Sequence, residues 1–81
     1  NLNKLINIYP NPVNDYINIS GIQQNIQTFV VICDLNGKII FEKQVNQIDN
    51  LQIDFSGFDS GVYILQIQAD NEVIIRQIIK I

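Results

Sequence analysis

The chain has 81 residues, eight acidic against five basic, a formal net charge of -3, one cysteine and no histidine. That length makes one domain, and the acidic balance argues against a nucleic-acid binder, which needs a basic stripe to displace counterions. Without histidine the common catalytic triads cannot be assembled, and with a single cysteine besides, neither can the usual zinc sets.

Hydrophobic residues form 47% of the chain and are mostly isoleucine and valine, whose branched Cβ suits a pleated, half-buried surface. Strands are therefore expected throughout. The first alternates over Leu5 to Tyr9, with Ile6 and Ile8 on one face and Leu5, Asn7 and Tyr9 on the other. In Tyr9-Pro10-Asn11-Pro12 each proline fixes its own φ and pushes its predecessor into extended geometry, so a stiff, polyproline-like link is expected. Val13-Asn14-Asp15 turns the chain, and Tyr16-Ile17-Asn18-Ile19 reads as a second short strand ending at Ser20-Gly21.

The clearest hairpin runs from Thr28 and Phe29-Val30-Val31-Ile32-Cys33 through Asp34-Leu35-Asn36-Gly37 into Lys38-Ile39-Ile40-Phe41-Glu42. Asn36-Gly37 suits a two-residue type I′ turn, but a type I turn with a bulge is favoured, with Asp34 accepting backbone N–H groups and Gly37 in the left-handed region. Leu51, Ile53 and Phe55 then share a face opposite Gln52 and Asp54, and Ser56 to Gly61 makes an irregular connection. Tyr63, Leu65, Ile67 and Ala69 line one side of the next strand, Asp70-Asn71 turns, and Glu72 to Ile81 gives the last strand. About seven short strands without a 3.6 period indicate an all-β, immunoglobulin-like antiparallel β-sandwich, with a partly open barrel as the alternative. The last strand is apolar on both faces, so it either lies centrally or offers one face to something else.

Little chemistry is written in the chain. Cys33, alone in an apolar run, reads as a buried, inert thiol. Asp54 and Asp59 flank a glycine-bearing loop whose spacing does not match a calcium hand, and the scattered glycines 21, 37, 57 and 61 match no phosphate-cradling fingerprint. A Ser-Lys pair lacks supporting spacing, and no metal, cofactor or catalytic residue is assigned. Phe29, Phe41, Phe55 and Tyr63 are expected in the core, with Tyr9, Tyr16 and Phe58 left for exposure. No apolar run of about 18 residues spans a bilayer, and Asn1 to Tyr9 lacks the features of a signal peptide. Opening on Asn1 rather than Met, residues 1–81 read as a single domain excised from a longer protein.

The ordered set Tyr9-Pro10-Asn11-Pro12-Val13, Tyr16-Ile17-Asn18-Ile19, Asp34-Leu35-Asn36-Gly37-Lys38 with Ile40, Gly61-Val62-Tyr63-Ile64-Leu65-Gln66-Ile67 and Arg76-Gln77-Ile78-Ile79-Lys80-Ile81 resembles the type A C-terminal sorting domain of type IX (Por) secretion cargo. The resemblance covers nearly the whole chain. It implies an immunoglobulin-like sandwich at the C-terminus of an exported protein, recognised by the outer-membrane translocon. It also implies removal by a cell-surface sortase of the cysteine-protease type, leaving an N-terminal cargo domain released or attached to anionic lipopolysaccharide. One place departs from the family, which commonly has a lysine just before the last apolar pair: here it is Gln77, with Arg76 beside it. A lysine is a point charge and an arginine a planar fork. The residues expected to carry recognition are Pro10, Asn11, Pro12, Asp34, Gly37, Lys38, Gly61, Tyr63, Arg76 and Lys80. Self-association through the last strand is a further expected contact if that strand is an open edge. The competing reading is a generic immunoglobulin- or fibronectin-like adhesion, spacer or carbohydrate-binding module of an extracellular protein, since fold alone does not separate these.

Overall fold

The computed structural model describes residues 6–22, 27–45 and 50–81. Leu5, placed by the alternation beside Asn7 and Tyr9, lies outside them. Among these residues seven strands follow in order: β1 (Asn7–Tyr9), β2 (Tyr16–Ser20), β3 (Thr28–Asp34), β4 (Ile39–Val45), β5 (Asn50–Asp54), β6 (Gly61–Ala69) and β7 (Glu72–Lys80). They form a three-stranded sheet in the order β1-β2-β5 and a four-stranded sheet in the order β4-β3-β6-β7, with every named pair antiparallel. Two separate sheets make this a sandwich rather than a partly open barrel. The fourth strand pairs with β3 and not with β5, so it belongs to the opposite sheet from its place in a constant-type immunoglobulin domain.

Alternation decides what fills the space between the sheets. Ile17, Ile19, Leu51 and Ile53 face inward from the small sheet, and Val30, Ile32, Leu65, Ile67, Ile74 and Ile78 meet them from the large one. Branched side chains at period two bury one face of each strand, and burying each is worth about 1.5–3 kcal/mol before the entropy of ordering is counted.

Three aromatic and cysteine expectations are corrected. Phe29 is 43% exposed, because the inward positions of β3 are Thr28, Val30 and Ile32, and period two turns Phe29, Val31 and Cys33 outward. Cys33 is accordingly half-buried rather than buried. Phe58 is not exposed but half-buried, its ring held against Phe55 at 4.6 Å and Tyr63 at 5.5 Å. Phe55 and Tyr63 are core residues and Phe41 packs against the core, whereas Tyr9 and Tyr16 are exposed.

β7 does not take the central place that was the first of its two expected positions. It is an edge strand, with Ile74 and Ile78 buried inward while Val73, Ile75 and Ile79 remain exposed on the outer face.

Candidate functional site

The proline segment has to leave one sheet and reach the other. Prolines at 10 and 12 carry no N–H for a ladder, so β1 stops at Tyr9. Both X-Pro bonds, Tyr9-Pro10 and Asn11-Pro12, are cis, and the chain bends at Asn11 and Pro12. The expected polyproline-like extension is thus replaced by a bent crossing. The physical reason lies on its far side: Val13 is fully buried and makes a parallel bridge to Lys80, in the other sheet from β1.

Among the described residues, four hydrogen bonds stitch this crossing to β7 and to Ile81 just beyond it. The Val13 N–H donates to the Ile79 carbonyl at 2.8 Å, and the Ile81 N–H donates to the Val13 carbonyl at 2.9 Å. The Asn11 side chain continues the same edge: its Nδ2 donates to the Gln77 carbonyl at 2.9 Å and its Oδ1 accepts the Ile79 N–H at 3.0 Å. A carboxamide offers the same donor and acceptor as a peptide group, so Asn11 acts as one more residue of a neighbouring strand. Aspartate at that position would lack the donor.

The hairpin turn ends the four-stranded sheet at the same level. The Gly37 N–H donates to the Asp34 carbonyl at 3.1 Å, and the Asp34 N–H donates to the Lys38 carbonyl at 3.0 Å. Asp34 Oδ1 accepts the N–H groups of Asn36 and Lys38, each at 2.9 Å. With Gly37 at φ +84° this is the type I turn with a bulge that the residues specify. Behind the turn, Asp34 pairs with Tyr63 and Tyr63 with Ile78, while Gly61 pairs with Lys80. Gly61 stands at φ +151°, a region that side chains rarely adopt. The Tyr63 hydroxyl donates to the Asp59 carbonyl at 2.6 Å and its ring meets Phe55 edge-on at 5.9 Å, which fixes the loop leading into β6.

These pairings gather most of the sequence-predicted residues at one end of the sandwich. Pro10, Asn11, Pro12, Asp34, Gly37, Lys38, Gly61, Tyr63 and Lys80 lie there, around the last two residues of β7. Arg76 does not: it pairs with Leu65 in mid-strand, four residues or roughly 13 Å along the strand from Lys80. Lys80 itself is buried at 8% exposure, its Nζ donating to the Ile81 carbonyl at 2.8 Å, so its stem packs while its ammonium keeps a hydrogen-bond partner. Lys38, by contrast, is exposed. The recognition residues expected from the sequence left out Val13, Gln77, Ile79 and Ile81, whose backbone groups make the stitch. The only local signal was a polar residue held between two prolines.

Away from this end, Asp54 is fully exposed, and hydrogen bonds from the Ser56 side chain and backbone N–H hold its carboxyl below the usual range. Among the described residues, no three of His, Cys, Asp or Glu gather into a metal-holding group. The arrangement offers a surface of hydrogen-bonded turns, exposed prolines and a stitched strand end, and shape recognition is what such a surface can do. The family model of the secretion system C-terminal sorting domain matches residues 7–81. No curated protein matches the chain.

Proposed function

Because the chain belongs to the family of type IX secretion C-terminal sorting domains, we propose that the outer-membrane translocon reads its stitched end, where Asn11 and Val13 grip β7. A domain of this family is a secretion signal, and it implies export of the protein that carries it to the cell surface or the medium. The finer steps are our reading. The translocon contacts Pro10, Asn11, Pro12 and the exposed Asp34-to-Lys38 turn, an N-terminal cargo domain follows the signal out, and a cell-surface sortase of the cysteine-protease type then removes the domain. Gly61, Tyr63 and Lys80 support that surface from beneath, and Arg76 provides a second, mid-strand contact.

The observation that carries this reading is the Asn11 bridge to Gln77 and Ile79. It locks the proline segment onto the last strand, so a partner meets a surface already ordered and pays little entropy to bind it. The test fuses residues 1–81 behind an exported fluorescent protein in a bacterium with a type IX system, and compares it with the same fusion carrying Lys38→Glu. Lys38 contributes only its backbone to the turn bonds described above, so the variant is expected to melt like the parent. Fluorescence should reach the surface or medium with the parent and fall at least several-fold with Lys38→Glu. Equal export of both would remove the turn from the recognised surface, and periplasmic retention of a folded parent would overturn the sorting reading for this chain.

A further inference from the structure

We infer that two copies of this domain pair through the open part of β7, antiparallel about Ile74, joining two four-stranded sheets into one. The starting point is hydrogen-bond parity. Even-numbered residues of β7 exchange ladder bonds with β6, because the groups of Gln77, Ile79 and Ile81 that are bonded from outside belong to odd positions. Val73 and Ile75 therefore point their N–H and C=O groups away from the sheet. The Ile75 carbonyl meets the Arg76 guanidinium at 3.3 Å, and Asn11 covers the edge from Gln77 onward. Among the described residues, the stretch centred on Val73 to Ile75 has no neighbouring strand on its outer edge, and it is bounded by the Asp70-Asn71 turn on one side and the Asn11 grip on the other.

The side chains specify what fits there. In a two-fold antiparallel pairing centred on Ile74, Val73 of each copy lies opposite Ile75 of the other, and each such pair exchanges two backbone hydrogen bonds. Glu72 then lies opposite Arg76 of the second copy, twice, in the non-hydrogen-bonded sites where side chains approach most closely. Glu72 and Arg76 both hold interactions within the single chain, the Arg76 guanidinium on the Ile75 carbonyl among them, and pairing sets their side chains against each other across the two copies. The register is thus self-complementary in charge, in hydrogen bonding and in its apolar row. Val73 and Ile75, 50% and 60% exposed, would each gain an apolar cross-strand neighbour. The opposite edge of the same sheet carries Glu42 and Lys43 on exposed β4, the charged protection that an edge uses against pairing. The open stretch of β7 has no charge between Glu72 and Arg76.

This inference concerns self-association and stands apart from the secretion reading, so its test reads mass. Sedimentation equilibrium of the 81-residue chain should show monomer giving way to dimer as concentration rises. Glu72→Arg and Arg76→Glu should each weaken the dimer by about tenfold or more, since like charges then face each other twice. The double variant should restore it. Ile75→Pro removes an outward N–H and no ladder bond, so it should keep the strand signal in circular dichroism and abolish the dimer. A chain that stays monomeric at millimolar concentration overturns the inference. A dimer indifferent to Ile75→Pro overturns this edge, and failure of the double variant to rescue overturns the register.

Discussion

Replacing Asn11 with alanine tests whether the proline segment is held to the last strand by a side chain. The variant deletes the bond to the Gln77 carbonyl and the one from the Ile79 N–H, while the Val13 bonds to Ile79 and Ile81 remain. Each neutral hydrogen bond contributes about 0.5–1.5 kcal/mol net, and at an exposed edge the lower half applies, so the loss should be ~1–2 kcal/mol. A domain of this size has a total stability of about 4–12 kcal/mol, so the loss is a sizeable share of it. It corresponds to roughly 5–15 °C in melting temperature. Urea titration should show a lower midpoint at unchanged slope, because the buried surface is the same. Hydrogen exchange should show the Ile79 amide losing protection while the Tyr63 amide, inside the sheet, loses only what global stability loses. Asn11→Asp should fall between parent and alanine, since it keeps the acceptor for Ile79 and sets a carboxylate against the Gln77 carbonyl. An alanine variant with parental midpoint and an equally protected Ile79 amide would refute the grip.

Two further perturbations probe the frame around that grip. Gly37→Ala meets no atom within 4 Å of its new Cβ, so only the backbone at φ +84° opposes it, and calorimetry should show a loss of about 1–2 kcal/mol. A melting temperature equal to the parent's would mean that the turn opens at no cost. Asp54 predicts a pH dependence: its folded pKa lies below the unfolded value of about 3.9, so its contribution is full above that value and is lost as pH falls through the lower folded one. Urea midpoints near neutral pH and at about pH 2.5 should therefore differ less in Asp54→Asn than in the parent, and an identical difference would remove the Ser56 bonds from the account.

The parts of the fold legible in sequence are those with local causes. Asp34, Asn36 and Gly37 specify their turn because every bond in it joins residues at most four apart, and the side chain that closes it is within that turn. Clean alternation likewise grouped Leu51, Ile53 and Phe55 on one face, and Tyr63, Leu65, Ile67 and Ala69 on another, and those are the residues that are buried. Phe29 to Cys33 is apolar at every position, so nothing in the run says which parity is inward; its pairing with β6 decides that. The proline segment misled for a related reason. Proline's local preference argues for extension, but the bonds that bend this segment join residues 66 and 68 apart, and no local pattern carries them. The candidate site was legible as a set of residues and not as a place: the motifs are spread from Pro10 to Lys80, and only strand register brings them to one end.

That geometry also separates two roles of β7 that a truncation confounds. Ending the chain before Glu72 strips Ile74 and Ile78 from the core, leaves all nine residues of β6 without an outer partner and uncovers Val13. Losing two buried isoleucines alone costs about 4–10 kcal/mol by the measure of large-to-small core substitutions, comparable to the whole stability of a domain this small. Failed export of such a truncation would follow from unfolding whether or not β7 is recognised. Lys38→Glu and Asn11→Ala act on the stitched end at little or moderate cost to folding, so their export, read at a temperature well below both melting points, reports the surface itself. If the translocon reads that surface, both variants export less than the parent while remaining folded. If it requires only a folded sandwich, both export at the parental level and the truncation alone fails.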